Sequence, residues 1–175
     1  WLFDVLPRIY IAKNFINSEQ VDYYLFPDLK QKFQQETLDF LNLPIKKRIS
    51  SKNYRHFSAS EIMITDHPYN ILNDPDQDSL NIPEWIILFL RKSFLTEDKD
   101  TNKFPKKIYI DRSDSKSGHS MMRTILNESD VKKILKEKGY EFLVLSDYHF
   151  VDQVKMFNQA TSIVGLHGAG FANTV

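Results

Sequence analysis

The residues of this sequence best typed for chemistry are two arginines, Arg112 and Arg123, and a glycine-rich turn, Gly165-Leu166-His167-Gly168-Ala169-Gly170, that carries one histidine. The turn ends a β-branched run, Ser162-Ile163-Val164. Glycine has no Cβ, so a Gly-x-His-Gly-x-Gly turn lets backbone N–H groups come close to an anion. Guanidinium groups add bidentate, charge-assisted hydrogen bonds to phosphate oxygens. Two arginines, His167 and the turn would together suit a diphosphate, and hence a nucleotide or another phosphorylated ligand.

For that to happen the surrounding elements must bring these residues to one place. From Lys107 the pattern is regular: strand 107–111, a polar loop, a helix from Asn127 or Ser129 to the stop at Gly139, strand 141–145, a helix over 150–160, and strand 162–166. Strand-helix-strand-helix-strand in some sixty residues predicts crossover connections and a parallel sheet, whose ligands sit at the carboxyl ends of the strands. Arg112 follows the first strand and His167 the third, so both are expected at one edge. Arg123, Asn127 and Glu128, in the loop and helix start after the first strand, belong to the same edge. A helix beyond Gly170 is expected to add its positive N-terminus.

Upstream, the patterning predicts a helix over 1–15 that is kinked or ended at Pro7, and a strand over 21–26. A helix over 31–41, strands over 46–50 and 59–65, and a helix from Pro83 to Phe94 follow. The acidic, Asn- and Pro-rich stretch 66–80 reads as a surface loop; its His67, Asp74, Asp76 and Asp78 lack calcium-loop spacing, and no metal site is expected. The polar segment 96–106 reads as a linker, giving two regions, 1–100 and 101–175.

Composition excludes several classes. Lys plus Arg total 23 and so do Asp plus Glu, so no global field favours nucleic acid. Cysteine is absent, which removes disulfide frameworks and thiolate metal clusters and mildly favours a reducing compartment. No apolar run reaches the ~20 residues that span a bilayer.

Four blocks, in order and spacing, resemble the family 61 glycosyltransferases: Ile108-Tyr109-Ile110-Asp111-Arg112; Arg123-x-x-x-Asn127-Glu128-x-x-Val131; Gln153-Val154-x-x-Phe157-x-x-Ala160; and Val164-Gly165-x-His167-Gly168-Ala169-Gly170-x-x-Asn173. Trp1-Leu2-Phe3-Asp4-x-x-Pro7-Arg8 looks like the family's aromatic-Asp segment. The resemblance implies a two-domain GT-B type α/β fold with parallel sheets, Rossmann-like, whose carboxyl-terminal domain is incomplete here, so that the chain is expected to be an internal slice of a longer enzyme. Region 1–100 would be the acceptor side and 101–175 would hold a nucleotide sugar.

The implied reaction is an inverting transfer of a sugar, without a metal or other cofactor, from a nucleotide sugar, expected to be uridine-linked, to a glycan or polysaccharide acceptor. Arg112, Arg123, Asn127, Glu128, His167, Gly168, Ala169, Gly170 and Asn173 would bind the donor, and Asp4 would take the acceptor's proton. Each has a structural alternative: Arg112 could pair with Asp111 or Asp114, Arg123 with Glu128, Asn127 could cap a helix, and the glycines could serve the turn alone. A non-catalytic nucleotide-binding module and another phosphate-handling enzyme stay open. The expected setting is the microbial cytoplasm, with peripheral membrane association in making surface or capsular polysaccharide. A Golgi or ER lumen stays open, and the oligomeric state is not specified.

Overall fold

The computed structural model describes residues 1–69, 74, 81–95, 103–114 and 125–175. The chain divides into two compact units, Trp1–Phe94 and Leu95–Val175.

In the first unit, α1 (Val5–Phe15) carries Pro7 in its first turn. There the missing N–H has no intrahelical partner to lose, so the helix runs on through Pro7 and does not end there. Next come β1 (Tyr24–Phe26) and α2 (Lys32–Phe40), the latter opened by a reciprocal cap between Gln31 and Gln34. A 3₁₀ turn, Ile45–Lys47, leads into β2 (Arg48–Ser50), which pairs parallel with β1, Tyr24 opposite Arg48 and Phe26 opposite Ser50. The last element, α3 (Glu84–Phe94), stacks its aromatics on α1, with Tyr10 and Phe89 ring centroids 4.6 Å apart. Leu6, Leu38 and Ile86 are fully buried. Thr37, also fully buried, donates its hydroxyl to the Phe33 carbonyl at 2.8 Å and accepts from the Trp1 indole at 2.9 Å, so its polar atom is satisfied.

The expected strand over 59–65 is not one. The segment forms no strand ladder with any of the described residues, and Ile64 is 81% exposed. An apolar β-branched run needs a partner ladder to become a strand, and here none is formed.

In the second unit the α/β rhythm is realised: β3 (Lys107–Asp111), α4 (Glu128–Glu137), β4 (Glu141–Val144), α5 (Phe150–Gln159) and β5 (Ser162–Gly165). The three strands are parallel in the order β4-β3-β5. Both faces of such a sheet must be covered, and Ile108, Ile110 and Leu143 pack with Met156 and Phe157 of α5. Gly139, at φ +80°, turns the chain out of α4 through the left-handed region that glycine enters without strain. The sheets are small and open, and the architecture is Rossmann-like α/β. Among the described residues no helix is long and apolar enough to cross a membrane.

Candidate functional site

Strand register builds the site. Ile110 lies opposite Gly165, so continuing the register by two residues sets Arg112 beside His167. The contact is made: the Arg112 guanidinium donates from Nη1 to the His167 carbonyl at 3.1 Å. It also covers Gly168, where an added Cβ would stand 3.3 Å from Nη1 and 3.4 Å from Cζ. Gly168 thus makes room for the arginine and not for a special backbone angle, its φ of 175° being extended. One N–H of Arg112 is engaged on this turn and the fork has four more. The His167 side chain is exposed, and so is Ala169.

Behind this edge the glycines serve packing. A Cβ on Gly170 would fall 2.8 Å from Leu145 Cδ1, and one on Gly165 would fall 3.0 Å from Ile110 Cβ. The chain after the turn is a six-residue 3₁₀ stretch, Ala169–Thr174, where an α-helix was expected. Asn173 is fixed within it: Nδ2 donates to Gln153 Oε1 at 3.0 Å, and Gln153 Nε2 donates to the Leu145 carbonyl at 2.8 Å. Gln153 is therefore a polar strut tying α5 to the end of β4 and to the closing turn.

On the other side of the strand end lies an ionic network. Lys132 bridges Asp111 at 2.7 Å and Glu128 at 3.3 Å, and the phenol of fully buried Tyr109 donates to Glu128 at 2.9 Å. The alternative pairing of Arg112 with Asp111 is not made: the Asp111 carboxylate takes Lys132 and the Ser113 N–H instead. Burial alone would push the Asp111 carboxyl up, but hydrogen bonds from Lys132 and Ser113 hold it below its usual 3.8. The hydrogen bond to Asp111 holds Lys132 above its usual 10.5. Burial first, and then the bond to Glu128, pushes Tyr109 up to about 12.

Glu128 is thus engaged within the fold. Asn127 occupies the cap position of α4, but its side chain makes no capping hydrogen bond and is exposed. Arg123 lies outside the described residues, as do Asp76 and Asp78. Lys132 is not marked by any of the four sequence blocks, and its signal is the i, i+4 spacing from Glu128 on a helix.

This network gives a prediction with a defined sign. Removing the phenol in Tyr109→Phe leaves Glu128 paired with Lys132 and should cost about 1 kcal/mol at neutral pH. The unfolded chain ionises Tyr109 near 10.0 and the folded one near about 12, so the wild-type protein loses stability as pH rises across that window. Thermal melts from pH 8 to 11 should show a shallower alkaline decline in Tyr109→Phe; an equal decline would contradict the network.

In the first unit, Asp4 sits at the cap position of α1 but caps nothing. Its Oδ1 faces His67 Nε2 at 3.5 Å and Arg8 Nη1 at 3.7 Å. Sequence offered no signal for the partner 63 positions away. Among the described residues no group of three or more His, Cys, Asp or Glu side chains is arranged to hold a metal ion.

A protein-family model described as Glycosyltransferase 61 matches residues 1–175, the whole chain. No curated protein and no solved structure matches it significantly.

Proposed function

The chain belongs to the glycosyltransferase 61 family, and from that premise we propose that it transfers a sugar from a uridine diphosphate sugar to a glycan or polysaccharide acceptor, inverting the anomeric carbon and using no metal. The acceptor hydroxyl attacks the anomeric carbon on the face opposite the nucleotide. As the new C–O bond forms, the bond to the β-phosphate oxygen breaks and its electron pair leaves with the diphosphate. The acceptor's proton passes to the Asp4 carboxylate, acting as general base.

A departing diphosphate without a metal needs fixed positive charge and N–H donors. Arg112 supplies charge and a planar fork at the carboxyl edge of β3 and β5, with His167 and the backbone from Gly168 to Gly170 beside it. Arg123 is assigned to the same anion. Asn127 keeps a free amide for the nucleotide, whereas Glu128 and Asn173 contribute mainly by holding the walls. The observation that carries this reading is the Arg112 guanidinium laid across the glycine turn, bonded to His167.

The test is uridine diphosphate release by the full protein from UDP-xylose, UDP-arabinose and UDP-N-acetylglucosamine, with and without acceptor extract. One donor should be turned over, faster with acceptor and at an unchanged rate in metal chelator. Binding of the nucleotide without turnover of any donor would favour a binding module instead, and no nucleotide binding would remove both. We place the enzyme in the cytoplasm, at a membrane face where surface polysaccharide is assembled, which cell fractionation would check.

A further inference from the structure

An aspartate at a helix N-cap ordinarily accepts a backbone N–H of the first turn. Asp4 forgoes that bond: no side-chain cap is made, and Oδ1 is buried with no hydrogen-bond partner among the described residues. It is turned toward two side chains, His67 Nε2 at 3.5 Å and Arg8 Nη1 at 3.7 Å. Both are themselves held in place. Arg8 donates from Nη2 to the Thr65 carbonyl at 2.7 Å and from Nε to the Thr65 hydroxyl at 3.3 Å. The His67 ring meets the Tyr69 ring edge-on, centroids 4.6 Å apart, and its Nδ1 is also buried without a partner. Over a third of the Asp4 side chain stays open to solvent although Oδ1 is enclosed.

Unsatisfied buried polar atoms are rare, and two in one cluster call for an explanation. A structural ion pair would close to hydrogen-bond distance. A carboxylate held loosely by one oxygen between two N–H donors is instead arranged as uncomplexed proton-transfer sites often are, with contacts that shorten when substrate binds. We propose that His67 and Arg8 are positioning residues for Asp4: they hold Oδ1 on the inner side and present Oδ2 outward as the oxygen that takes the acceptor's proton.

This rests on Asp4 being the base. His67 fixes the carboxylate through Nε2–H, as a partner fixes the imidazole in other carboxylate-histidine pairs. Three groups face the carboxylate: Arg8 from α1, and His67 and Tyr69 from the segment after Thr65. Tyr69 senses its charge, being pushed up first by burial and then by Asp4.

The experiment uses the full chain in two arms. In the first, the ring nitrogen signals of His67 are compared by NMR in the wild type and in Asp4→Asn. Loss of the carboxylate beside Nε2 should displace the Nε2 signal; identical ring signals would overturn the pairing whatever the enzyme does. In the second, uridine diphosphate release is followed with the donor that is turned over. His67→Ala should lower kcat by about 10- to 100-fold at nearly unchanged donor KM. His67→Gln, which keeps an N–H in reach, should recover most of the lost kcat, a rescue that a merely structural role would not give. If Asp4→Asn keeps full turnover, the assignment of the base falls. If Asp4→Asn is inactive while His67→Ala retains the wild-type kcat, the base stands and this inference falls.

Discussion

Arg112→Ala should weaken uridine diphosphate binding by about 10- to 100-fold, the weight of one or two hydrogen bonds to a charged group. It should lower turnover further, by about 100- to 1000-fold, because negative charge on the departing phosphate grows in the transition state. Arg112→Lys should fall between, keeping charge but losing the planar fork. The fold should survive both changes. Arg112 is only half-buried, and its one hydrogen bond to the described structure is to the exposed His167 residue, whose carbonyl can take water instead. Calorimetry with uridine diphosphate and a donor-turnover assay, beside a thermal melt, measure the three quantities together. Unchanged affinity and turnover in Arg112→Ala would mean that the guanidinium merely covers the turn.

Asp4→Asn should separate chemistry from binding. The amide has nearly the shape of the carboxylate but cannot take a proton, and removing a general base costs about 100- to 10,000-fold in kcat. Uridine diphosphate affinity should stay at the wild-type value, since Asp4 is assigned no contact with the nucleotide. Preserved turnover would remove Asp4 as the base, and a matching loss of nucleotide affinity would point to a damaged fold.

What could be read from the sequence follows from physics that acts locally. The second unit was legible because strand and helix periods alternate cleanly from Lys107, and parallel strands bring their carboxyl ends to one edge by geometry. Arg112 and His167 therefore could be placed side by side before any coordinates, 55 residues apart. The apolar run Ile62-Met63-Ile64 was misread because periodicity cannot show whether a partner strand exists. The residues after Gly170 were expected as a helix start, but the turn is held by packing: Gly170 against Leu145, and Asn173 against Gln153. Those contacts link three elements and leave no local pattern. In sequence Glu128 was open to a ligand contact or to a pair with Arg123; in the structure its carboxylate takes Tyr109 and Lys132, neither of which the local pattern singles out. The meeting of Asp4 with His67 was invisible for the same reason that long-range contacts usually are, since neither residue belongs to a periodic pattern that names the other.

The most direct test of the assigned donor site is a crystal structure of the full chain with uridine diphosphate. The diphosphate should lie at the carboxyl edge of β3 and β5, within hydrogen-bond distance of the Arg112 guanidinium and beside the turn from His167 to Gly170. A diphosphate bound elsewhere, with Arg112 still closed on the His167 carbonyl and touching no phosphate oxygen, would contradict it.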